Sequence, residues 1–215
     1  MFSPRSLVIA LLVLATVGGA IGMVFLPSTS PTEQTTSPTD TSRQPSATGF
    51  AVSQTESGFE RLKLLAKGIP APVDVVETAE GKPFSVQDAI GKHAQVLVFY
   101  QGVFCSVCQH QLESIQAKLD TFKKRGIQVA AISADDLADA KKRQGESGLT
   151  YPVIHDEKRT LIQAFGVANI TRKNIAYPTV YFLDKEGRVL DVYADAEMQR
   201  LEADGILKHL DSLGL

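Results

Sequence analysis

With 215 residues, 44% apolar side chains and a formal net charge of -2, the chain has material for one ordinary core plus extensions. Its near-neutral balance supplies no basic field to steer a polyanion, and no run of like charge forms an interaction tail, so nucleic acid is excluded as a partner.

Residues Ser6 to Leu26 are uncharged and follow Arg5. About 20 apolar residues span the hydrocarbon core of a bilayer, so residues 1–26 are expected to form an N-terminal transmembrane helix. The first cation beyond the stretch is Arg43, and the positive-inside bias then leaves the N-terminus in the cytoplasm and everything after it outside. Gly18 and Ala20 also suit a cleaved secretory signal. On either reading the remainder is exported, to the periplasm if the source is a Gram-negative bacterium. Residues 27–57 are dominated by Ser, Thr, Pro and Gln. Such a segment cannot bury enough apolar surface to offset its ordering entropy, which predicts a flexible linker.

From residue 58 to 215 strand-like and helix-like patterns alternate. Asp74 to Thr78, a turn at Glu80-Gly81-Lys82 and then Pro83-Phe84 read as a short hairpin, after which Ser85 caps a brief helix through Ile90. Gln95 to Tyr100 is apolar on both parities and is expected to be a central strand covered on both faces. Cys105 to Lys124 reads as one helix, with Val107, Leu112, Ile115, Leu119 and Phe122 near helical spacing. The next strand is Ile127 to Ile132, followed by a helix capped by Ser133 or Asp135, a strand at Tyr151 to Ile154 and a helix from Lys158 to Phe165 closed by Gly166. Tyr177 to Leu190 reads as strand, tight turn and strand with Pro178 at the entrance, and a last helix covers Glu197 to Leu213. Alternating strands and helices imply an α/β fold, and the closing hairpin makes its central sheet mixed.

Cys105 and Cys108 are the only cysteines, so any intramolecular disulfide joins them. They sit where a strand exit reaches a helix start. A helix N-terminus carries about half a positive charge and unpaired amide donors, which stabilise a thiolate. Bringing a cysteine pKa from about 8.5 to about 7 takes roughly 2 kcal/mol, within reach of such a site. Cys105 is then the attacking thiol, and Cys108 on the same helical face resolves the mixed disulfide. A passive disulfide closed over so few residues restrains the unfolded chain little. Zinc is disfavoured because His93, His110, His155 and His209 are scattered singly, and haem attachment because Gln109 follows the second cysteine. No metal or cofactor is called for.

Leu97-Val98-Phe99-Tyr100-Gln101-Gly102-Val103-Phe104-Cys105-Ser106-Val107-Cys108 resembles the strand, glycine, aromatic and C-x-x-C of the thioredoxin-fold redoxins. This grouping comprises alkyl hydroperoxide reductase/thiol-specific antioxidant proteins, which are peroxiredoxin-like, and membrane-tethered thioredoxin-like proteins. Ala131 to Asp135, Tyr151 to Asp156 and Phe165-Gly166-Val167 resemble the family's later strand ends and helix exit. Tyr177-Pro178-Thr179 resembles the loop whose cis-proline faces the cysteines. The resemblance implies a thioredoxin-like fold with a central mixed β-sheet flanked by helices. It also implies catalytic Cys105 and Cys108, and a substrate groove built from Phe104, Tyr177 and Pro178.

Peroxiredoxins resemble this stretch through P-x-x-x-T/S-x-x-C and a later supporting arginine. With Cys108 in the cysteine position, Gln101 stands for the proline, Cys105 for the Thr/Ser and Pro178 for the arginine. These departures favour an extracytoplasmic thiol-disulfide oxidoreductase acting on a protein or small-molecule disulfide, with an unidentified electron donor. The alternative is a thiol peroxidase with Cys108 as peroxidatic cysteine and Arg172 replacing the missing arginine. A third reading, a copper-binding assembly module, lacks the wider cysteine spacing and matching histidine of such relatives. No acidic residue identifies itself as a buried proton acceptor.

Overall fold

The computed structural model describes residues 62–169, 171–172, 174–194 and 199–215, all within the compact unit Val52–Leu215. The expected anchor and linker lie outside the described residues. No helix among the described residues is long and apolar enough to cross a membrane.

Strands β1 (Val75–Glu77) and β2 (Pro83–Ser85) form the expected antiparallel hairpin. Gly81 turns it with φ of 78°, a conformation that costs glycine nothing. Ser85 then caps a 3-10 turn, Val86–Ala89, in a reciprocal box with Asp88. The main sheet has the order β5-β4-β3-β6-β7. Its members are β3 (Ala94–Phe99), β4 (Ile127–Ser133), β5 (Val153–His155), β6 (Thr179–Leu183) and β7 (Val189–Ala194). The pairs β3–β4 and β4–β5 are parallel, whereas β3–β6 and β6–β7 are antiparallel. The sheet is therefore mixed, as the closing hairpin implied.

All six residues of β3 are buried, because the sheet has a core on each face. Val96 and Val98, with Val129, Ala131, Val180 and Phe182 of its neighbours, face the helices α1 (Ser106–Ala117), α2 (Leu119–Lys124) and α5 (Ala203–Ser212). Leu97 and Phe99 point the other way with Ala130, Ile132, Tyr181 and Leu183, against α4 (Thr160–Ala164), Phe84 and Val86. Strand side chains alternate with a period of two, so a strand apolar on both parities must be covered twice.

Three helix boundaries differ from expectation. The single helix expected from Cys105 to Lys124 is broken at Lys118, which has φ of -109° and ψ of 10°. Leu112, Ile115, Leu119 and Phe122 are buried on both sides of the break, so an apolar stripe carries no mark of it. Helix α3 (Leu137–Glu146) is capped by Asp136, whose Oδ1 accepts the Asp139 amide at 2.9 Å, and not by Ser133 or Asp135. The last helix starts at Ala203, with residues 199–202 before it non-helical; the expected start at Glu197 lies outside the described residues. Just before it, the Leu201 carbonyl and the Ala203 amide are bonded by Gln111 and Ser114 of α1, so side chains there take backbone groups that an earlier helix start would have used.

Candidate functional site

At the C-terminal end of β3 the chain leaves the sheet at Tyr100, turns at Gly102 and enters α1. Gly102 has φ of 141°, and a Cβ there would lie 2.7 Å from Asp135 Oδ1 and 2.9 Å from the Phe104 ring. Only glycine fits both the conformation and the space. Cys105 is the N-cap of α1 and Cys108 lies in its first turn; the two are joined as a disulfide with Cα atoms 5.2 Å apart. The Cys108 amide donates to Cys105 Sγ at 3.2 Å. An orphan donor of the helix start is thus aimed at this sulfur, and it would stabilise the thiolate formed on reduction. Cys105 is 7% exposed and Cys108 is fully buried, so a partner reaches Cys105 first.

Phe104, beside Cys105, is exposed over 61% of its surface. Pro178 is buried and Tyr177 half-buried. Phe99 pairs with Thr179, which places Pro178 immediately next to the exit of β3. A small crevice there is lined by Gln111, Pro178, Thr179, Tyr193, Arg200 and Leu201. Arg200 belongs to this crevice and also reaches the cysteines: its Nη2 lies 3.9 Å from Cys105 Sγ and 3.4 Å from Gln101 Oε1. Arg172, considered above as a replacement arginine, is exposed, and its backbone amide donates to Asn169. His110 is exposed on α1.

A second group of polar residues grips the loop from behind. Asp135 Oδ1 accepts the Val103 amide at 3.2 Å, and the guanidinium of buried Arg143 donates to the Val103 carbonyl, so the two peptide units flanking the Val103 Cα are each held by a charged side chain. Ser133 Oγ donates to Asp135 Oδ2 at 2.8 Å. Burial raises the Asp135 pKa, and the Ser133 hydroxyl and Val103 amide offset only part of that rise. The Tyr100 phenol beside them is raised by burial first and then by the Asp135 charge. Asp135 is thus the half-buried carboxyl at the site that the sequence did not single out. Its signal was present in Ser133-Ala134-Asp135 at the end of a strand parallel to β3, where the end of one strand meets the loop of the next. Arg200 carried no comparable signal, since it is 95 residues from Cys105 in sequence and belongs to no motif.

The AhpC/TSA family model matches residues 68–192. Among individual proteins, the chain is 27% identical to thiol-disulfide oxidoreductase ResA of Bacillus anthracis over 165 residues, 76% of this chain and 88% of that one. It is 28% identical to the chloroplastic peroxiredoxin Q of Sedum lineare over 149 residues, 69% of this chain and 80% of that one. Of solved structures, peroxidoxin BcpB from Mycobacterium tuberculosis superimposes with a TM-score of 0.62 at 20% identity, covering 68% of this chain and 96% of that one. A cysteine mutant of PrxQ from Xylella fastidiosa gives 0.64 at 14% identity, covering 70% and 98%. These structural likenesses establish the thioredoxin-like fold.

Proposed function

The chain belongs to the AhpC/TSA family, and from that premise we propose that it is a thiol-disulfide oxidoreductase in which Cys105 attacks and Cys108 resolves. The observation that carries the reading is the Cys105–Cys108 disulfide at the start of α1, with the less buried sulfur receiving the helix amide. The likeness to ResA proteins supports it.

In the reducing direction the Cys105 thiolate attacks one sulfur of the substrate disulfide. That bond breaks, the leaving substrate thiolate takes a proton, and Cys105 holds the other half as a mixed disulfide. Cys108, losing its proton, then attacks Cys105 Sγ. The second substrate thiol departs, the substrate has gained two electrons, and the enzyme is left in the disulfide state seen here. A thiol donor must reduce the pair again. Phe104, Tyr177 and Pro178 form the groove that receives the substrate, with the exposed Phe104 ring as its apolar wall. The uncharged stretch Ser6 to Leu26 supports membrane anchoring, with the catalytic domain extracytoplasmic.

The test is reduction of a model disulfide by the prereduced protein. Wild type is expected to turn over, Cys105→Ser to lose activity by at least about a hundredfold, and Cys108→Ser to accumulate a mixed disulfide visible by mass spectrometry. Undiminished activity in Cys105→Ser would sink the assignment. The likeness to peroxiredoxin Q supports a second reading, a thiol peroxidase with Cys108 as the peroxidatic residue. It requires Cys105→Ser protein to form a sulfenic acid at Cys108 with modest hydrogen peroxide, and absence of that product dismisses it.

A further inference from the structure

The segment before α5 is built into the dithiol site. Gln111 of α1 is 3% exposed, and its Nε2 donates to the Leu201 carbonyl at 2.9 Å. Ser114, one turn further along the same helix, accepts the Ala203 amide at 3.0 Å and donates to the Gln111 carbonyl at 2.8 Å. The helix that carries the cysteines at one end therefore latches, from its middle, the backbone on either side of Glu202. Arg200 immediately precedes that latch, with Nη2 against Cys105 Sγ and Gln101 Oε1. It also lies beyond residues 68–192, the part of the chain shared with the AhpC/TSA family.

We propose that Arg200 is a catalytic residue of this protein, the cation that stabilises the Cys105 thiolate, and that Gln111 is the positioning residue that delivers it. The inference rests on the reading of Cys105 as the attacking thiol. Once the disulfide opens, negative charge appears on the sulfur that the guanidinium already faces, and opposite charges at this range favour the ionised form. Among the described residues, the other charged groups around the loop do not duplicate this. Asp135 and Arg143 carry opposite signs and are both bonded to the backbone of Val103, and His110 is exposed on α1. The second cysteine is fully buried, whereas the guanidinium contact is made to Cys105 Sγ.

The experiment follows alkylation of the reduced full-length protein by iodoacetamide as a function of pH, with mass spectrometry identifying the cysteine labelled first. In wild type, Cys105 is expected to label first. Arg200→Gln is expected to move the midpoint of the profile upward by about one unit, leaving about tenfold less thiolate at pH values well below the wild-type midpoint. Arg200→Lys should stay close to wild type because it keeps the charge. Gln111→Ala should move the midpoint in the same direction by a smaller amount, with Arg200 intact. A profile unchanged in Arg200→Gln, or an Arg200→Lys profile that matches Arg200→Gln, overturns the role of Arg200 while leaving the oxidoreductase reading in place. First labelling at Cys108 overturns both.

Discussion

Asp135 joins three observations at one carboxyl group: it accepts the Val103 amide, receives the Ser133 hydroxyl and has its pKa raised by burial. A raised carboxyl pKa means that the folded protein holds this proton more tightly than the unfolded chain. Its contribution therefore favours the fold below the ordinary carboxylate value and is lost as pH climbs from that value through the raised one. Asn at this position keeps an acceptor for Val103 but has no proton to lose. Urea unfolding of wild type and Asp135→Asn over a pH series is expected to show the stability difference moving in favour of the variant as pH rises through that window. The change amounts to about 1.4 kcal/mol for each unit by which the native pKa is raised. Asp156 is also raised by burial, partly offset by the amides of Ile162 and Thr160, but it acts equally in both proteins and cancels. At this scale the cysteines were legible because their spacing alone implies chemistry. Asp135 was misread as a helix cap, because a carboxylate after a strand has the same sequence signature whether it caps the next helix or grips a neighbouring loop.

Among the elements, the glycines separate positions that need glycine from those that merely contain it. Gly166 ends α4 with φ of 72°, and a Cβ there would lie 1.8 Å from the Lys63 carbonyl oxygen. The Lys63–Leu65 strip crosses directly over this helix end, with the Leu65 amide donating to the Phe165 carbonyl at 3.2 Å and to the Tyr181 hydroxyl at 2.8 Å. Gly166→Ala is expected to cost about 2–3 kcal/mol in chemical denaturation, from the left-handed conformation together with the displaced strip. Gly145, inside α3, has open space around its Cβ position. Gly145→Ala is expected to stabilise the protein by about 0.5–1 kcal/mol, because alanine restricts the unfolded chain at no steric cost. Strand positions were read closely from the sequence because buried two-faced strands are written as unbroken apolar runs. Helix ends were read less well. The break at Lys118 and the late start at Ala203 are decided by side chains of other elements and by burial that is the same either way.

For the molecule as a whole, the sequence reading of export predicts that a periplasmic-type reporter enzyme, active only outside the cytoplasm, works when fused after Leu215. The same reporter should fail when residues 1–26 are removed. Enzymatic assay of the two fusions in cells checks this, and activity of the truncated fusion would contradict the proposed anchoring. The mixed sheet, the strand-to-helix placement of the cysteines and the hairpin carrying Pro178 were determined by the sequence alone, because each is encoded within a few neighbouring residues: apolar parity, a C-x-x-C, a Gly between two strands. Tertiary structure alone decided what surrounds the sulfur. The grip of Asp135 and Arg143 on the Val103 backbone and the approach of Arg200 to Cys105 join groups between 32 and 95 residues apart. Such contacts arise only when the ends of β3 and β4, the third helix and the segment before α5 are brought to one edge of the sheet, and no local pattern in the chain records that meeting.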